Sequence, residues 1–437
     1  MPALRSPHDR EIARLAIPAL GTLVAEPLYV LADTAIVGRI GTDELAGLAL
    51  ASAVLLSVHS LMIFLAYGTT ATVARLIGAG REREGAGQSV QGLWLAALFG
   101  VGFALLLIPT GTWFLEILGG EGRALEQAEI YLNISIIGLP AMLLALAGAG
   151  SYTGRQDTRT PLLLALAGAV ANLVIELVLI NGLGYGIGAS ALSTVIAQTG
   201  VGVVFAVGVG RWARPLGVGL RPDGRALVQL ALAGRALVIR AVALRGSFTL
   251  AAAAAARIGV PQLAAHQVAL QIWGTLALAL DAVAIAGQAL TGRWLGAGDA
   301  SRARSAARRM IELDVGVGVV AGLGILAVRQ PLAGVFSTDE AVISATASVL
   351  LFVAISQPLS GYVFALDGIL IGAGDLTYLG RSMAATAAVF TVITLWLIQT
   401  EASLSVLWCA LIFFIGLRAV AVWWRFRSDR WIVLGAA

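Results

Sequence analysis

Lysine is missing altogether from these 437 residues: all 29 basic side chains are Arg. That is read as a compositional habit rather than as a site. Charge of any kind is scarce, at 12% of the chain against 59% hydrophobic residues, and the mean hydropathy is +0.89. A soluble domain of this length cannot be covered with so little polar surface, so the composition points to an all-α polytopic membrane protein. Cysteine is reduced to Cys409, which excludes a disulfide framework and a Cys-based metal site. No Ser/His/Asp or His-Glu-x-x-His arrangement is present, so nothing nominates an enzyme. Gly78-Ala-Gly80 and Gly296-Ala-Gly298 follow no strand and precede no Gly-Lys-Ser/Thr, so they are loop ends and not phosphate cradles. The net charge of +4 would suit nucleic acid, but the arginines fall in loops on one side of a membrane, and no nucleic-acid partner is expected.

Twelve apolar segments are long enough to span a bilayer. The ninth, about 305–328, is the weakest because Arg308, Arg309, Glu312 and Asp314 crowd its start. The N-terminus, alternate loops and C-terminus hold 23 arginines, and the opposite loops hold four. By the positive-inside rule both termini are expected in the cytoplasm of a cell with this chain in its inner membrane. Met1–Arg14 carries mixed charges and precedes an apolar run too long for a cleaved signal, so the first helix is expected to stay as an anchor. An internal repeat organises the rest. Arg75-Leu-Ile-Gly-Ala-Gly80 matches Arg293-Trp-Leu-Gly-Ala-Gly298; Pro140 matches Pro358, Gly154 matches Gly372 and Asp157 matches Asp375, each 218 residues on. A constant offset means two copies of one unit. Six spans is an even number, so the halves share one orientation. The expected lobes are 1–210 and 236–437, two pseudo-symmetric six-helix bundles joined by a cytoplasmic linker at 211–235 that is rich in Pro, Gly and Arg.

The first span carries carboxylates where hydrocarbon belongs. Glu26, Tyr29 and Asp33 recur at helical spacing and share a face. A charge at bilayer depth costs about 2.5–3.5 kcal/mol or more, so such residues face a partner or cavity and mark ion or proton paths. The alternative is that Asp33 is a structural acceptor for a neighbouring helix. Pro18 and Pro27 each remove a backbone hydrogen bond and offer places to bend. On the fifth helix Asn172 and Glu176 lie one turn apart, and Thr194 and Gln198 repeat that spacing on the sixth. With Tyr29 and Asp33 they make a set of oxygen ligands for a small cation, or a proton relay. Two carboxylates brought together at low dielectric cannot both stay ionised without a proton or a cation. Glu176 could instead be a solvated residue near a helix end. By the repeat offset Asp33 maps to Ala251 and Glu176 to Thr394, which puts the coupling in the first lobe. In the second lobe Asp281 and Gln288 share a face of the eighth helix, Asp367 lies in the tenth, and Arg245 in the seventh is expected to pair with an acid. His59 and His266 read as hydrogen-bonded core histidines.

The stretch Leu31-Ala-Asp33-Thr-Ala-Ile-Val-Gly-Arg-Ile-Gly41 is similar to the first-helix signature of the multidrug and toxic compound extrusion (MATE) transporters. Asp281-Ala-Val-Ala-Ile-Ala-Gly-Gln288 and Leu366-Asp367-Gly-Ile-Leu-Ile-Gly-Ala-Gly-Asp375 resemble the DinF-type branch. The resemblance runs from about Ile12 to Arg425 and implies two lobes that alternate between inward- and outward-open states. It implies a coupling site at Tyr29, Asp33, Asn172, Glu176 and Thr194, with Pro18 at the bend of the first helix. Glu176 departs from the Asp usual there by one methylene. The function expected is secondary antiport, exporting amphipathic or cationic organic compounds in exchange for H⁺ or Na⁺, by a single chain, with no cofactor and no metal beyond a Na⁺ at the coupling site. A lipid-linked saccharide flippase of the same superfamily is the alternative; a membrane-embedded enzyme or scaffold is a further one, and lacks a nucleophile–base pair or metal cluster at membrane depth.

Overall fold

The structure, a computed structural model, describes residues 6–435, so the lobe ends expected at 1 and 437 lie outside the described residues. Among those residues there are twelve helices long and apolar enough to cross a membrane, and no strand. They are α1 Asp9–Val37, α2 Thr42–Gly78 with a break at Ile63, α3 Glu82–Ile117, α4 Gly122–Gly154, α5 Arg159–Leu177 and α6 Ile187–Ala213. The second set is α7 Gly224–Ile258, α8 Val260–Gly296, α9 Ala300–Phe336, α10 Glu340–Gly372, α11 Leu376–Gln399 and α12 Leu404–Arg427. Only intra-segment hydrogen bonding satisfies a backbone in hydrocarbon, which is why the apolar runs take this form. Large apolar side chains stand open, among them Ile137 at 73% and Val320 at 72% exposure, as lipid-facing positions do.

The helices gather into two compact units. One comprises Gly21–Gly234; the other joins the described residues up to Leu20 with Arg235–Gly435. The boundary falls inside α1, which runs unbroken through Pro18 and Pro27. Its opening turns are tied into the second unit by Asp9, whose carboxylate receives two hydrogen bonds from Arg309 of α9, at 2.6 and 3.0 Å.

The repeat is written into the helix limits. α4 and α10 begin and end 218 residues apart, each with its proline inside, Pro140 and Pro358. Gly80 and Gly298 both close their loops in the left-handed region, at φ of +72° and +77°. Lipid gives helices little hydrophobic reason to associate, so close packing at small residues must hold them. A Cβ on Gly150 would stand 2.4 Å from the Ala66 carbonyl oxygen, and one on Gly368 would stand 2.3 Å from that of Ala284, its counterpart. Helix α4 therefore crosses α2, and α10 crosses α8, backbone against backbone.

Two expectations are corrected here. The segment 211–235 is mostly helical: α6 continues to Ala213, a single turn spans Arg214–Leu216, and α7 starts at Gly224. Ala, Leu, Val and Gln after Arg225 are compatible with helix, and the short remaining loop is fixed by Gln91 and Trp94 of α3, which donate to the Arg221 and Leu220 carbonyls at 3.0 and 2.8 Å. The ninth helix is also longer than its apolar stretch, because Asp299 caps its start by accepting from the Arg302 N–H at 2.9 Å.

Gly368→Ala is expected to lower the thermal midpoint of the detergent-solubilised protein by several degrees, an overpacking cost of about 1–3 kcal/mol. Gly316→Ala, where an added Cβ meets nothing within 4 Å, should leave it unchanged or raise it slightly.

Candidate functional site

In the first unit α1, α4, α5 and α6 bring a polar cluster to one place. Asp33 is 5% exposed, and its Oδ1 accepts a hydrogen bond from Ser190 Oγ at 2.5 Å. Glu176, 1% exposed, faces Asp33 and Ser190, and its Oε1 has no hydrogen-bond partner. It is no solvated helix end: α5 continues past it into a wider π-helical turn at Val178–Gly182. Such turns occur often at functional sites.

A chain of neutral groups fixes the rest. Ser193 Oγ donates to Asn172 Oδ1 at 2.7 Å, Asn172 Nδ2 donates to Thr194 Oγ1 at 3.1 Å, and Thr194 shares a 2.7 Å hydrogen bond with the Tyr29 hydroxyl. The Asn172 amide is thus oriented from both sides. Its carbonyl oxygen, the Tyr and Thr hydroxyls and two carboxyls stand together on three helices. These are hard oxygen donors suited to a small cation, or hydroxyls and acids suited to a proton.

All five residues expected at the coupling site, Tyr29, Asp33, Asn172, Glu176 and Thr194, are brought together. Glu26 is not: it is exposed, two turns of α1 before Asp33. Three members were missed. Ser190 and Ser193 stand four and one residues before Thr194, and running the Thr194–Gln198 spacing backwards would have found Ser190. Tyr131 of α4, 3% exposed, faces Thr194 and Ser190 with Asp33 within electrostatic range. It stands in a largely apolar helix, and the tertiary fold places it.

The second unit treats its polar residues differently. Asp367 Oδ2 accepts from Arg240 at 2.5 Å and from Arg418 at 2.9 Å. The expected partner, Arg245, is exposed and joins no ion pair among the described residues. Five residues beyond Arg240 it lies roughly 140° round the helix. Arg418, counted from sequence with the C-terminal loop, sits inside α12 and is 5% exposed. His266 is fully buried edge-on against Trp408, at a ring distance of 5.7 Å, but neither ring nitrogen has a hydrogen-bond partner, contrary to expectation. Gln288 is buried, and its backbone meets Gly372. Asp281 is half-buried and faces Asp314 of α9. No group of three or more His, Cys, Asp or Glu able to hold a metal occurs among the described residues.

The MatE family description matches twice, over residues 18–178 and 231–398, once in each half of the repeat. The chain belongs to the MATE family. It is a multi-pass membrane transporter and not an enzyme. It is 33% identical to Protein DETOXIFICATION 44, chloroplastic, of Arabidopsis thaliana, over 98% of this chain and 84% of that one. It is 29% identical to the DNA damage-inducible protein F of Escherichia coli, over 98% and 95%, in keeping with the DinF-like motifs. A solved MATE structure in the bent conformation shares its fold, with a TM-score of 0.88 at 20% identity over 98% and 96% of the two chains.

Ser190→Ala removes the hydroxyl that donates to Asp33. A hydrogen bond to a charged group contributes about 1.5–3 kcal/mol, so exchange by this MATE protein should fall about tenfold or more, and its thermal midpoint should drop by several degrees with the protein still folded. Unchanged exchange in reconstituted vesicles would remove Ser190 from the site.

Proposed function

We propose that the chain is a secondary antiporter that exports amphipathic or cationic organic compounds in exchange for H⁺ or Na⁺, with Asp33 as the coupling carboxylate. The observation that carries this is the buried placement of Asp33 beside Glu176 within one unit. Two adjacent carboxyls at low dielectric need a proton or a cation between or upon them. Whatever ion binds there binds the two states of the transporter unequally, and that difference in affinity supplies the coupling. Tyr29, Asn172 and Thr194 complete the ion's surroundings, and Ser190 and Tyr131 hold the carboxyls in register.

The detoxification name of the plant relative supports toxic organic compounds as cargo. The absence of a nucleotide-binding signature in the sequence leaves an ion gradient as the driving force. The one-sided arginines support an inner membrane with cytoplasmic termini, and the two-unit chain supports transport by a monomer. A saccharide-lipid flippase would call for cations free to meet phosphate. Arg240 and Arg418 are instead engaged by Asp367, which leaves that reading second.

Ethidium efflux from energised cells lacking their own pumps should appear with the wild-type chain and be lost with Asp33→Asn at matched expression. Repeating the assay with and without Na⁺ names the ion. Equal efflux from the two proteins would take Asp33 out of the mechanism.

A further inference from the structure

Asp314 lies in the middle of α9 with no exposed surface, and neither carboxyl oxygen has a hydrogen-bond partner. Here α9 and α10 cross backbone against backbone. A Cβ on Gly361 would stand 2.3 Å from the Asp314 carbonyl oxygen, and one on Gly318 would stand 2.4 Å from that of Gln357. On α10, Gln357 Oε1 and Ser360 Oγ flank this crossing, and they too are buried without partners.

The repeat shows that the fold does not require this polarity. The positions 218 residues earlier than Asp281, Asp314, Gln357 and Ser360 are Ile63, Ala96, Leu139 and Met142, all apolar. The reverse holds for the first unit's site. Asp33, Asn172, Ser190 and Thr194 correspond to Ala251, Phe390, Trp408 and Ile412. Asp33, Asp281 and Asp314 thus each stand where the other unit is apolar, while Glu176 stands opposite the buried hydroxyl of Thr394.

The charged neighbours of Asp314 are few. Asp281 faces it from α8. On α9 itself Arg309 is engaged by Glu312 and by Asp9 of α1. On α10, Asp367 is held by Arg240 and Arg418, and Glu340 stands in the first turn. No cation balances the carboxyl, and no metal-binding group is assembled there among the described residues. An isolated carboxylate in such surroundings is far too costly to persist, whereas a neutral acid is tolerated.

We propose that Asp314 is a second proton site, seated in the C-terminal unit, that is loaded in this conformation and releases its proton during transport. The inference rests on the chain being an ion-coupled transporter but not on Asp33 being its coupling group. Buried polar groups absent from the equivalent crossing, and an acid neighbour that opposes ionisation, are what a releasable proton needs: a carboxyl held neutral until its surroundings open.

Infrared difference spectroscopy on the purified protein tests this directly. The wild type should show a protonated-carboxyl C=O band that Asp314→Asn, an isosteric and neutral change, removes. That band should fall as pH is raised or substrate is added. It should persist in Asp33→Asn, so that failure of the proposed coupling site and failure of this one are told apart. Asp281→Asn, which leaves Asp314 itself intact, should displace the pH at which the band is lost. A band absent from the wild type, retained in Asp314→Asn, or indifferent to both pH and substrate would overturn the proposal; the last would make Asp314 a permanent structural acid.

Discussion

The cost of an ionised carboxylate at low dielectric governs this molecule. At a few kcal/mol even on lenient scales, it is a large fraction of the margin by which a protein is stable, so a chain that keeps several buried acids must neutralise them. Asp367 is neutralised by two guanidiniums, a permanent arrangement within one unit. Asp33 and Glu176 have hydroxyl and amide neighbours and no arginine. That difference in partner sets the pair apart from Asp367, and the proposed exchange of an ion at the first unit rests on it.

The scaffold supports this by being rigid where it is apolar. Backbone-to-backbone crossings at equivalent glycines build both units to one plan, and close contact rather than hydrophobic burial holds helices together in lipid. On that common frame the two halves carry different chemistry. A duplicated unit can lose its acids at one place and keep them at another without altering the packing, since Ala251 stands where Asp33 would be and both positions are buried helix.

The architecture was legible because bilayer thickness dictates segment length and a constant offset survives divergence. The core of the candidate site was legible for the same reason of scale: Asn172 and Glu176 put an amide and a carboxyl one turn apart in an apolar run, although Glu176 could also be read there as a solvated helix end. What escaped was tertiary. Tyr131 stands in a largely apolar helix, Arg418 was counted with the C-terminal arginines although it lies within the last apolar run, and the partner of Asp367 is Arg240 and not Arg245, the two pointing to different sides of α7. Ser and Thr are hard to read in membrane helices, since most of them bond their own backbone, as Ser57 does to Ala53, and nothing local marks Ser190 as different.

The central claim is that the charge of the Asp33–Glu176 pair is met by an exchangeable ion. Isothermal titration of the purified protein with Na⁺, and in parallel the proton release that substrate provokes in weak buffer, measures that ion without relying on transport. Na⁺ binding or proton release that is present in the wild type and lost in both Asp33→Asn and Glu176→Gln is the expected result. The same signal undiminished in the two variants would contradict it and move the exchangeable charge elsewhere in the chain.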